Sequence, residues 1–206
     1  MIYEFRTYTV RAGMLGETLE RYGAAYETRK DIKPLAAFWY TEIGPVNQII
    51  QVWPWEDLVE RERLRVELAK LSTWPPGLGP RVIHQQVELF NEFPFIDNFP
   101  PGNHGPVYEM RTDQLGPGTM RGVRASWETA LPAMAEQTPI VAALFSDMGT
   151  LNKLLRISPH ASLEAWGRAN ATADADGAWP AGNDGEILPA GQQVTIMRPS
   201  TFSPMQ

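Results

Sequence analysis

At 206 residues, with 43% hydrophobic and 20% charged side chains, the chain has an ordinary globular composition, long enough for one large or two small domains with modest cores. Its net charge of −6 and pI near 5.1 speak against nucleic acid as a partner, because phosphate neutralisation needs clustered Lys and Arg. Without cysteine there are no disulfides, thiolate metal sites or cysteine nucleophiles, a reducing cytoplasmic location is the natural expectation, and no apolar run approaches the ~18 residues of a membrane span.

In chain order, Ile2 to Val10 alternates in polarity and is rich in β-branched and aromatic residues, which predicts a strand, and Ala12-Gly13 turns the chain. Leu15, Leu19, Tyr22 and Tyr26 then fall at i, i+4, i+7 and i+11, the apolar stripe of a helix. Leu35 to Ile43 and Asn47 to Trp55, split by Gly44-Pro45, predict a hairpin. Asp57 followed by Glu60 has the pattern of a capping box opening a second helix, with Leu58, Leu64, Leu68 and Leu71 inward, and a last strand runs from about Val82 to Phe90.

The order then recurs. Ile2-Tyr-Glu-Phe-Arg-Thr7 aligns with Val107-Tyr-Glu-Met-Arg-Thr112 at an offset of 108 − 3 = 105, which also pairs Gly13 with Gly118, Gly44 with Gly149, Asn47 with Asn152 and Trp74-Pro75 with Trp179-Pro180. Met120, Val123, Trp127 and Met134 mark the second copy's first helix, and its last strand, about Val194 to Arg198, follows at an offset of 107. The chain therefore divides into a repeat at 1–93, a Pro- and Gly-rich linker at 94–106 and a second repeat at 107–206. Each repeat reads β-α-β-β-α-β, the ferredoxin-like α+β arrangement with both helices on one face of an antiparallel sheet. The bare faces of two such sheets are natural partners, and their pairing makes a closed barrel, either within one chain as a pseudo-dimer or between chains as a homodimer.

The first repeat, through Ile2-Tyr-Glu-Phe-Arg-Thr-Tyr-Thr-Val, Gly13, the run from Phe38-Trp39 to Gln48, Val52-Trp53 and Arg61-Glu-Arg63, closely resembles the NIPSNAP family over almost its whole length. The second is similar but carries Asp113 for Tyr8, Leu144 for Trp39, Arg156 for Gln51 and Ser158 for Trp53. The resemblance implies the dimeric α+β barrel fold, a superfamily that also holds cofactor-free monooxygenases, lactone isomerases and haem-binding or haem-degrading enzymes. It brings no catalytic motif that transfers residue by residue.

Strand alternation separates Tyr3, Phe5 and Thr7 from Glu4, Arg6 and Tyr8, and the apolar set is expected under the helices with the polar set inside the barrel. By the same logic Gln51, Trp53, Arg156 and His160 point inward. Glu4 with Arg6, and Glu109 with Arg111, are then structural ion pairs, the acid–base and oxyanion-clamping groups of a catalytic pocket, or exposed and inert pairs. Trp39, Gln51, Trp53, Arg156 and His160 are the candidate ligand contacts for a small hydrophobic or aromatic molecule in the lumen. The other readings are a non-catalytic assembly or adaptor protein with a filled barrel, and a haem-dependent or cofactor-free monooxygenase-like enzyme by superfamily analogy. No His pair has metal-ligand spacing, so no metal is expected; no cofactor is predicted, and His160 is the candidate should a haem bind. Asp174 to Glu186 superficially matches a calcium loop but lacks the EF-hand order, and an acidic surface loop is the expectation there.

Overall fold

In a computed structural model of the chain, which describes residues 1–175 and 189–206, the predicted element order is realised twice. The first repeat runs β1 (Ile2–Val10), α1 (Leu15–Arg29), β2 (Ala37–Ile43), β3 (Gln48–Trp55), α2 (Leu58–Leu68) and β4 (Val82–Glu92). The second runs β5 (Val107–Gln114), α3 (Met120–Gln137), β6 (Ala142–Met148), β7 (Lys153–His160), α4 (Leu163–Ala175) and β8 (Gly191–Pro199). The acidic stretch 174–186 falls almost wholly outside the described residues.

Local chemistry explains the element ends. Gly13 and Gly118 (φ 80° and 83°), Gly44 and Gly149 (106° and 107°) and Asn47 and Asn152 (58° and 57°) take left-handed backbone at matched places, which is why these residue types recur at the repeat offset. Asp57 caps α2 by accepting from the Glu60 amide at 2.8 Å, and the Glu60 carboxylate accepts from the Glu56 amide at 2.7 Å, one residue outside a regular capping box. On α2, Leu64 and Leu68 are buried as expected, but Leu58 is exposed.

The two sheets, ordered β4-β1-β3-β2 and β8-β5-β7-β6, join edge to edge through β2–β8 and β4–β6 into one closed eight-stranded antiparallel barrel. The barrel therefore closes within a single chain, and neither sheet is left with a free edge.

The facing of the strands is the reverse of the expectation. Tyr3, Phe5, Trp39, Ile50, Val52 and Phe90 of the first repeat share one buried cluster with Tyr108, Leu144, Leu155, Ile157 and Met197 of the second, and Trp39 lies 5.3 Å from Tyr108, ring to ring. This cluster is the lumen. Glu4, Arg6, Tyr8, Gln51 and Trp53 instead face α1 and α2, where Tyr8, Ile49, Trp53 and Trp55 pack against Tyr22, Tyr26, Leu64 and Leu68. The physical reason is that both faces of each strand are buried, so alternation separates two sets without saying which is innermost. The set with charges goes where helix side chains supply partners.

One end of the lumen is closed by Phe99, from the segment between β4 and β5, and by Met205 of the carboxyl-terminal turn, which are tied together by a bridge between Gly102 and Met205. At the other end the lumen-facing positions are polar: Thr7 and Thr112 are half-buried, Gln86 and Gln193 are exposed, and Glu88 pairs with Lys153. The lumen is packed at one end and wet at the other. No helix among the described residues is long and apolar enough to cross a membrane.

Because Ile50 is fully buried in the lumen and Leu58 lies outside, Ile50→Ala should cost about 2–5 kcal/mol and Leu58→Ala within about 0.5 kcal/mol. Urea unfolding of the two variants checks this.

Candidate functional site

The candidate residues of the first repeat come together between the sheet and its helices. Pairing of β1 with β3 sets Glu4 opposite Trp53 and Arg6 opposite Gln51, so the four share one face. The Glu4 carboxylate, 2% exposed, is ion-paired with Arg6 across 3.0 Å, without a hydrogen bond from its Nε, and accepts from Arg61 Nε of α2 at 2.5 Å. Tyr22 of α1 donates its hydroxyl to Gln51 Oε1, and Trp53 Nε1 donates to the same oxygen at 3.2 Å. An indole N–H can only donate, so the Gln51 amide is oriented with Nε2 pointing away. That nitrogen is buried and completes no hydrogen bond, although the amide sits close enough to the Tyr8 hydroxyl to favour its ionised form. Burial dominates at Tyr8 and Tyr22 and pushes both phenols upward, leaving them protonated donors at neutral pH.

Above this face lies Arg29, at the end of α1. It is 3% exposed, its guanidinium carbon sits 3.3 Å from the Trp53 ring centre and 4.3 Å from that of Trp74, and its Nε has no partner. Burial lowers its pKa to about 10, so it is still a cation at neutral pH, yet no carboxylate among the described residues pairs with it. Trp39, by contrast, is on the lumen side and does not join this group.

The second repeat places Glu109, Arg111, Arg156 and His160 in the corresponding layer, again facing the helices and not the lumen. Glu109 accepts from Arg111 Nε at 2.8 Å, from Arg156 at 3.4 Å and from Trp166 Nε1 of α4 at 2.5 Å, while Arg111 also donates to Asn170. Burial pushes the Glu109 carboxyl up, but its hydrogen bond from Arg111, the Arg111 and Arg156 charges and the Trp166 bond outweigh it and hold it below its ordinary value near 4.5. Asp113, at the position of Tyr8, accepts from Gln192 at 2.7 Å and adds a second negative charge acting on Arg156. His160 is buried, its Nε2 has no hydrogen-bond partner, and burial lowers its pKa, so it is neutral at pH 7. A neutral, unpartnered ring nitrogen has the donor chemistry of an axial haem ligand.

Sequence reasoning missed the helix-borne half of both clusters. Arg29 continues the spacing of Tyr22 and Tyr26 along α1, so a cation on the apolar stripe was the available signal. Arg61, Trp74, Trp166 and Asn170 had no such signal, because their positions depend on how the helices and loops lie over the sheet.

Open volume is found elsewhere on the surface. A cleft of about 520 Å³ lies between α1 and the carboxyl-terminal turn, lined by Leu19, Glu20, Tyr40 and Phe202 among others, and one of about 290 Å³ lies between α1 and the segment around Thr73, Pro76 and Gly77. No group of three or more metal-ligating side chains occurs among the described residues.

The NIPSNAP family model matches residues 3–91 and 108–204, both repeats and nearly all of the chain. The chain belongs to the NIPSNAP family. Protein NipSnap homolog 3B of Mus musculus is 25% identical over 221 residues, covering 99% of this chain and 85% of the relative, and the Homo sapiens homolog 3B is 24% identical over the same span. The fold as a whole is shared with a proposed monooxygenase from Lactobacillus acidophilus (TM-score 0.65, 7% identity, 97% of this chain and 94% of the other). It is also shared with a proposed chlorite dismutase (TM-score 0.56, 13% identity, 96% and 94%). At these identities the likeness concerns the barrel alone, and no residue role passes from those proteins to this NIPSNAP chain.

The depressed carboxyl makes the second repeat's cluster sensitive to acid. A group with a lowered folded pKa contributes stability above its unfolded value and loses it as pH falls through the folded one. Glu109→Gln should therefore destabilise the chain at pH 7 and flatten the loss of stability on acidification below about pH 4.5, as read from thermal melts across pH.

Proposed function

We propose that this NIPSNAP protein binds a small hydrophobic or aromatic molecule, and that it does so between the sheet and helices of the first repeat instead of in the lumen. What supports this is the unpartnered Gln51 Nε2, a fully buried donor held in place by Tyr22 and Trp53 within a wall of Tyr8, Tyr22, Trp53 and Trp74. A buried amide donor without an acceptor costs about 1–3 kcal/mol, and a ligand oxygen would recover it while its apolar body covers the rings. The cleft lined by Ala25, Thr73 and Pro76, next in sequence to Tyr26 and Trp74, is the way in that this reading assigns to the ligand. Glu4, Arg6 and Tyr8 are the groups placed to orient such a molecule.

Tryptophan fluorescence titrated with one- and two-ring aromatic fragments tests the location. Saturable quenching should be lost in Gln51→Leu and kept in Met110→Trp, which adds bulk inside the lumen where Met110 packs on its apolar cluster; the opposite pattern sinks this placement. The packed end of the lumen favours a second reading, a non-catalytic assembly protein acting through its outer surface, and that reading prevails if no fragment quenches saturably. The haem reading rests on His160 alone: hemin should give a Soret shift that disappears in His160→Ala, and an unchanged shift in that variant removes it.

A further inference from the structure

The two repeats differ in the charge balance of the layer between sheet and helices. In the second, Arg111 and Arg156 face Glu109 and Asp113, two positive against two negative charges. In the first, among the described residues, Arg6, Arg29 and Arg61 face the one carboxylate of Glu4, because Tyr8 stands where Asp113 does and Arg29 where Met134 does, at the offset of 105. The carboxylate of Glu4 is already shared by Arg6 and Arg61. The groups acting most strongly on Arg29 are Tyr22, Arg6, Glu4 and Tyr8, of which Arg6 is a like charge and the phenols are neutral.

A cation only 3% exposed and with no carboxylate in ion-pair contact among the described residues, Glu4 acting on it only from further off, is costly, and it stands in a chain whose overall charge is −6, so general basicity does not account for it. Its Nε and the Gln51 Nε2 are two buried donors of the same layer that complete no hydrogen bond among the described residues, the Tyr8 hydroxyl beside the amide notwithstanding. Two donors, one cationic, set among aromatic rings describe the complement of a planar anion with two oxygens.

Resting on the binding reading above, we propose that the ligand is an organic carboxylate with an apolar or aromatic body, its two oxygens received by Arg29 and Gln51 in the first repeat only. The second repeat, with its charges already balanced by Glu109 and Asp113, does not take one.

The experiment compares benzoate with its neutral counterpart benzamide on the full chain, by tryptophan quenching and by thermal shift. Benzoate is expected to bind roughly tenfold or more tightly than benzamide and to raise Tm, and Arg29→Met, which installs the second repeat's residue, should abolish both the preference and the rise. If Arg29→Met does not fold, as judged by circular dichroism, Arg29→Gln keeps a donor, removes the charge and serves the same comparison. Equal binding of benzamide, or a benzoate response that survives loss of the Arg29 charge, overturns the carboxylate inference and leaves the binding site standing. Absence of saturable binding by either compound overturns both.

Discussion

Each four-stranded sheet in this chain has two faces to cover, and its own helices cover only one. The second face is buried against the other sheet, through the β2–β8 and β4–β6 seams, and everything else in the molecule follows from that closure. Once the two sheets enclose a lumen, that space has no helix to bring in polar partners, so it is filled from Tyr3, Phe5, Trp39, Phe90, Tyr108 and Met197 and sealed by Phe99 and Met205. The seal at one end leaves the other, with Thr7, Gln86, Thr112 and Gln193, to water.

The charged half of every strand is thereby pushed outward under the helices, where its energetics depend on what those helices carry. In the second repeat Trp166 and Asn170 of α4, together with Asp113, complete the needs of Glu109, Arg111 and Arg156. In the first repeat Arg61 completes Glu4, and Arg29 has no carboxylate partner among the described residues. Stacking on Trp53 and Trp74 returns about 0.5–2 kcal/mol to Arg29. The desolvation of a guanidinium costs several kcal/mol, so the stacking alone does not balance it. That deficit sets the layer of the first repeat apart from that of the second, so two repeats of similar sequence bury different charge balances.

The duplication, the element order and the turns are legible in the sequence alone. Gly13, Gly44 and Asn47 recur as Gly118, Gly149 and Asn152 because left-handed backbone tolerates few other residue types, and strand and helix periodicities are local properties of the chain. Of the candidate site, the strand-borne members Glu4, Arg6, Tyr8, Gln51 and Trp53 were correctly grouped, since alternation and register put them on one face. Trp39 was not, because its parity on β2 opposes theirs across the pairing of Trp39 with Ile50.

By itself, then, the sequence determined which residues share a face, where the chain turns and that the unit occurs twice, because these depend on neighbours within a few positions. Only the tertiary structure decided which face is lumen, that the barrel closes within one chain, and that Arg29, Arg61 and Trp74 meet the strand residues. Those outcomes depend on which distant surface covers each sheet, and on a strand buried from both sides the local pattern is the same whichever way it is turned.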